Sequence, residues 1–274
     1  MKRIPELIVV STERSGTNFF GSCLRRFDQG VTFFEVFAQD AVYGLEAYPQ
    51  VAKRFGELIS YDIQRETDPG LARLVHAEPV KHLKLLHQSA AERGAQCFCY
   101  KLFPGHLHPS KVKLAMAEDE VRVIFLVRRR LDCFISFQKA LQLEAWQSSD
   151  TTAEKIAITT KQFMEWAQSR DQWFNNLYRH TLEAGVPRQI LSYDLDIDRP
   201  QAAVLAKCDF VLKSFGVEAP RLTVAGPSEF KKQDKADSPF AKISNGSEVE
   251  EAFRAADLLD YALSPFLGND RIGG

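Results

Sequence analysis

The sequence predicts an α/β fold, a mostly parallel sheet covered by helices on both faces. Three observations lead there. Four short apolar runs read as buried strands, amphipathic stretches that read as helices separate them, and the polar segments richest in Gly, Ser and Arg fall directly after strands. A sheet of this kind takes its ligand at the C-terminal ends of its strands, so those segments mark the expected site.

In chain order the expected strands are Glu6–Val10, Gln96–Phe103, Arg122–Val127 and Gln189–Tyr193. Asn18–Phe27 follows the first as a helix. Val80–Arg93 has apolar spacings of three and four and stops at Gly94. Leu131–Trp146 follows the third strand. Ala153–Ala184 is the longest periodic stretch, with a capping-box pattern at Thr151-Thr152-Ala153-Glu154 and Gly185 and Pro187 at its end. No repeat, low-complexity tract or long linker divides the 274 residues, so one domain is expected over 1–274.

Composition narrows the class. Apolar residues make up 45% and charged residues 26%, the balance of a globular core with a solvated shell. A formal net charge of −1 gives no global basic field, which argues against nucleic acid as the main partner. Any anion site must be built locally. The five cysteines form no CxxC pair and read as reduced packing residues, with Cys97 and Cys99 on one face of a strand. None of the six histidines pairs at i, i+4, so no metal is expected. There is no membrane-length apolar run, and the short Leu7–Val10 stretch is no signal core, which predicts a cytoplasmic protein.

The loop Ser11-Thr12-Glu13-Arg14-Ser15-Gly16-Thr17, followed by Asn18, must turn from strand to helix. Such a loop aims backbone N–H groups and a helix N-terminus at one point, a setting for phosphate or sulfate. Gly16 lets the backbone approach, Ser15 and Thr17 add hydroxyls, and Arg14 adds charge. The spacing is not that of a Walker A loop, although a P-loop-like sheet remains compatible with it. A second segment matches it. Arg128-Arg129-Arg130 ends the third strand, and Ser136 stands eight residues after Arg128, two helical turns on. Taken alone, the first loop reads equally as a capped helix start and the arginines as a solvated run.

In combination the two segments resemble the sulfotransferases that use 3′-phosphoadenosine-5′-phosphosulfate (PAPS). In that family a loop of the type [Lys/Arg]-Ser-Gly-Thr holds the 5′-phosphosulfate, and a later strand–Arg with Ser eight residues on holds the 3′-phosphate. Arg14-Ser15-Gly16-Thr17 and Arg128…Ser136 stand in that order. The resemblance implies a P-loop-like parallel sheet with helical acceptor-side insertions, PAPS as sulfonate donor, PAP as product and no metal. It also assigns Tyr193, within Leu191-Ser192-Tyr193-Asp194-Leu195, to the adenine. Lys232 and Gln233, ahead of Ile243-Ser244-Asn245, are assigned to a C-terminal segment closing over the nucleotide.

The base is less direct. Cytosolic members carry a His after the second strand, where this chain has Phe103; His106 is three residues further on. The bacterial carbohydrate branch, of the trehalose and nodulation-factor type, uses a Glu soon after the first helix, as in Phe33-Phe34-Glu35-Val36-Phe37. A lone carboxylate among large apolar residues is costly to bury unless it is paired or holds its proton more tightly, which suits a base. Glu35 is the expected base and His106 the alternative, with Lys101 beside the transferring sulfonate. The acceptor implied is a hydroxyl of a carbohydrate or glycolipid, and a homodimer is left open. Competing readings are a P-loop nucleotide or metabolite kinase, which requires ATP and Mg²⁺, and a non-catalytic nucleotide-binding protein that keeps the loops without a base.

Overall fold

A computed structural model describes residues 4–28, 30–144, 150–217, 220–223, 226, 228, 230, 236 and 238–267. The strands are β1 (Glu6–Val10), β2 (Gly30–Thr32), β3 (Cys97–Leu102), β4 (Val121–Val127) and β5 (Arg188–Ser192). They form one all-parallel sheet in the order β2-β3-β1-β4-β5. Helices α1 (Thr17–Leu24), α2 (Pro49–Ile59), α3 (Pro69–Ala77), α4 (Pro79–Glu92) and α5 (Pro109–Met116) precede β4. After it come α6 (Arg130–Leu143), α7 (Thr160–Glu183), α8 (Gln201–Ser214), α9 (Gly246–Ala255) and α10 (Leu259–Leu263).

Strand alternation divides the core. Leu7 and Val9, with Cys97, Cys99, Ile124 and Leu126, face α1 and α8. Ile8 and Val10, with Phe98, Tyr100, Val123 and Phe125, face α2–α5 and α7. The sheet is therefore covered on both faces, as predicted. A satellite cluster joins α6, α7, α9 and α10. All five cysteines are buried and free. No helix among the described residues is long and apolar enough to cross a membrane.

The four expected strands are present within one residue at each end. Two differences have local causes. The edge strand β2 has three residues, too few to show a pattern, and forms by pairing with Cys97–Cys99. The long helix starts at Thr160, not Ala153: the capping box is Thr159 with Gln162, where the Thr159 hydroxyl takes the Gln162 N–H and the Gln162 side chain returns to Thr159 N–H. Thr151–Glu154 is only a turn, and Ile156, which fits the helical stripe, bridges Ile243 in an extended segment. Trp146 lies outside the described residues.

β1 lies between β3 and β4, so the loops after all three converge on one crevice. At the opposite end of the sheet, the buried Glu6 carboxyl accepts a 3.1 Å hydrogen bond from the Tyr100 hydroxyl. Burial pushes its pKa up to about 8. The folded state therefore binds a proton that the unfolded chain has released, and Glu6 costs stability progressively as pH rises from about 4.5 to 8. Glu6→Gln is expected to flatten that fall, by up to about 1.4 kcal/mol per pH unit, in denaturant titrations across this window.

Candidate active site

The β1–α1 loop is anchored from below. Ser11 Oγ donates to Leu126 O of β4 at 2.6 Å, and the Thr12 and Ser15 hydroxyls lie 3.0 Å apart. Ser15 Oγ is also 3.3 Å from Cys133 Sγ of α6. The Ser15 hydroxyl, expected to face an anion, is thus fully buried and used in the loop floor. Gly16 has φ 80°, and a Cβ there would lie 2.6 Å from the Tyr193 ring. Gly16 also gives α1 no side-chain cap, so an anion at this helix start meets backbone N–H groups that no cap occupies.

Arg14 is left-handed too, at φ 69°. Its carbonyl accepts from Arg128 Nη1 at 2.7 Å, and its Nε donates to Ser136 Oγ at 3.0 Å. Burial and the neighbouring Arg128 bring its pKa down to about 10, so it stays cationic near neutrality.

The three consecutive arginines diverge as strand passes into helix. Arg128 turns into the crevice under Tyr193, whose ring centroid is 4.2 Å from its guanidinium carbon, and its buried Nε has no hydrogen-bond partner among the described residues. Arg129 approaches Asp132 at 2.9 Å and Asp194 at 3.5 Å. Arg130 turns away entirely. It is 1% exposed, forks onto Asp171 of α7 and donates to the carbonyls of Tyr261, Ser264 and Pro265. Only Arg128 of the three lines the cleft.

The opposite wall comes from the segment after β2 and the end of β3. Glu35 is not the solitary carboxylate its neighbours suggest. Its side chain is 28% exposed, and Lys101 Nζ lies 3.0 Å from its Oε1 and 2.5 Å from Asn18 Oδ1. Lys101 is buried, which lowers its pKa, while Glu35 acts in the other direction. His106 Nε2 is 3.8 Å from Glu35 Oε2, and its Nδ1 accepts the Phe103 N–H at 3.3 Å. That acceptor role assigns the ring hydrogen to Nε2. Burial lowers the His106 pKa to about 4, so the ring is neutral near pH 7.

These walls enclose a cleft of about 650 Å³. Arg14, Gly16, Thr17 and Asn18 line it, as do Glu35, Arg128, Ser136 and Tyr193; Ser15, Lys101 and His106 stand behind its surface. Phe103 lines it as well. Lys232 and Gln233 lie outside the described residues. Asn245 is turned away, holding the Ile158 backbone through both amide atoms. The sequence reading missed Glu13, Asp132, Lys139 and Lys242, which also line the cleft. Asp132, Ser136 and Lys139 follow i, i+4, i+7 on α6, a face that Ser136 alone could have revealed. Among the described residues no cluster of His, Cys, Asp and Glu could hold a metal ion.

The chain matches no protein-family model and no curated protein in sequence comparison. Gly16→Ala is expected to lower stability by about 1–3 kcal/mol in denaturant unfolding, because the left-handed backbone and the Tyr193 ring both oppose a Cβ.

Proposed function

We propose that this protein transfers a sulfonate from PAPS to a hydroxyl of a carbohydrate or glycolipid, releasing PAP. The observation that carries this is the convergence of Arg14, Arg128 and Ser136 on one wall of a cleft whose other wall presents Glu35. The sheet order, with the anion loop after the central strand, supports a P-loop-like fold.

The residues present fit such a donor. The uncapped start of α1 with Arg14 suits one phosphate, while Arg128, with its unpartnered buried Nε, and Ser136 suit another. The donor supplies a sulfonate on a phosphate leaving group. Glu35 accepts the proton of the acceptor hydroxyl as its oxygen bonds sulfur and the sulfur–phosphate oxygen bond breaks. Arg14 and the α1 N–H groups take up the charge left on the phosphate. Lys101, 3.0 Å from its Oε1, orients Glu35. His106 is unsuited to be the base, since Nε2 carries its hydrogen and Nδ1 is engaged.

Glu35→Gln is expected to lower kcat by about 10²–10⁴-fold while PAP still binds; full turnover in that variant would remove Glu35 from the mechanism. Calorimetric titrations with PAP and with ATP–Mg²⁺ address the donor. Binding of PAP is expected, and binding of ATP–Mg²⁺ without PAP would favour the kinase.

A further inference from the structure

We propose that Lys242 is a further phosphate ligand of the donor site and that Asp132 is an internal counter-anion competing with the donor's 3′-phosphate for it. This rests on the PAPS reading and deepens it.

Lys242 ends the 3₁₀ turn Pro239–Lys242, far along the chain from the anion loops. It lines the cleft while only 5% exposed, and its Nζ is 2.6 Å from Asp132 Oδ1. Asp132 also lines the cleft, is 2% exposed and has Arg129 Nε at 2.9 Å from its other oxygen. Burial, the largest single influence, acts to raise the Asp132 pKa, but Arg128, Lys242 and Arg129 together hold it below the ordinary carboxylate value. One carboxylate therefore serves three cations.

Its position gives this a consequence. Asp132 lies on α6 between Arg128 and Ser136, one turn before the serine, so it stands among the residues assigned to the 3′-phosphate. A phosphomonoester there carries more charge and more acceptor oxygens than the carboxylate, and it draws on Arg128 and Lys242 together. The Ile243–Ile156 bridge fixes the turn next to Lys242, so only the side chain needs to change partner.

A purely structural ion pair and a competing one differ in sign. If the pair only braces the fold, loss of either partner alters stability and leaves nucleotide affinity unchanged, or shifts it the same way in both variants. Competition predicts opposite shifts. Calorimetry with PAP and with 5′-AMP is run on the full chain as wild type, Lys242→Met, Lys242→Arg and Asp132→Asn. Lys242→Met is expected to weaken PAP about 10- to 100-fold and leave 5′-AMP within about twofold. Lys242→Arg should recover most of the loss, and Asp132→Asn should bind PAP more tightly than wild type.

Unchanged PAP affinity in Lys242→Met, or shifts of the same sign in Lys242→Met and Asp132→Asn, would overturn the proposal while leaving the PAPS reading intact. A wild-type protein that takes no PAP would overturn both. Should Lys242→Met fail to fold, Asp132→Asn decides: tighter PAP binding supports the competition, and unchanged or weaker binding ends it.

Discussion

The site depends on one side chain that ties two loops together. Arg14 receives Arg128 at its carbonyl and reaches Ser136 with its Nε, so the loop after β1 and the β4–α6 junction are held as one surface. Neither contact is local in sequence, and each joins elements that the sheet order makes neighbours. The left-handed backbone at Arg14, with Gly16 two residues on, is the conformational cost of that arrangement. The cost is sustained because Ser11, Thr12 and Ser15 spend their hydroxyls inside the loop and under it. A loop with serines and threonines at these places is consequently stiff from below and open to a ligand only from above.

Cations at the β4–α6 junction are handled separately, and the separation leaves one guanidinium of the three turned into the cleft of a chain whose net charge is −1. Arg130 is neutralised by Asp171 and by carbonyls at the end of α10, where it serves packing. Removing either member of such a buried pair leaves an uncompensated charge, a loss of about 3–5 kcal/mol, so Arg130 belongs to the scaffold. Arg129 bridges the buried Asp132 and the half-buried Asp194. Of the three, Arg128 is the one that lines the cleft, and its buried Nε has no hydrogen-bond partner among the described residues. Three identical neighbours thus divide into a brace, a bridge and a cleft-facing group.

Sequence carried the fold as far as its signals were local. Apolar runs of five to eight residues located β1, β3, β4 and β5, and the loop and Arg…Ser spacing located Arg14, Gly16, Arg128 and Ser136. Signals that depend on partners were not legible. β2 exists because β3 is beside it, and Ile156 mimics a helical position while pairing with Ile243. The fates of Arg129 and Arg130 depend on where α6 turns, and Lys242 reaches the cleft from a turn 110 residues beyond Asp132. Glu35 was found through its neighbours, yet its pairing with Lys101 required the β2–β3 side of the sheet to be assembled.

That pairing shapes the proposed chemistry more than the identity of the base does. A carboxylate held 3.0 Å from a buried ammonium is fixed in place. Asn18, at the start of α1, binds the same ammonium, so the wall carrying Glu35 is registered against the N-terminus of that helix. In the proposed transfer, proton acceptance and leaving-group stabilisation would then belong to one rigid unit, through Lys101. For a transfer in which positioning and electrostatics dominate, a correctly placed carboxylate serves better than one on a mobile segment. The neutral His106 behind Glu35 adds no second cation beside that carboxylate.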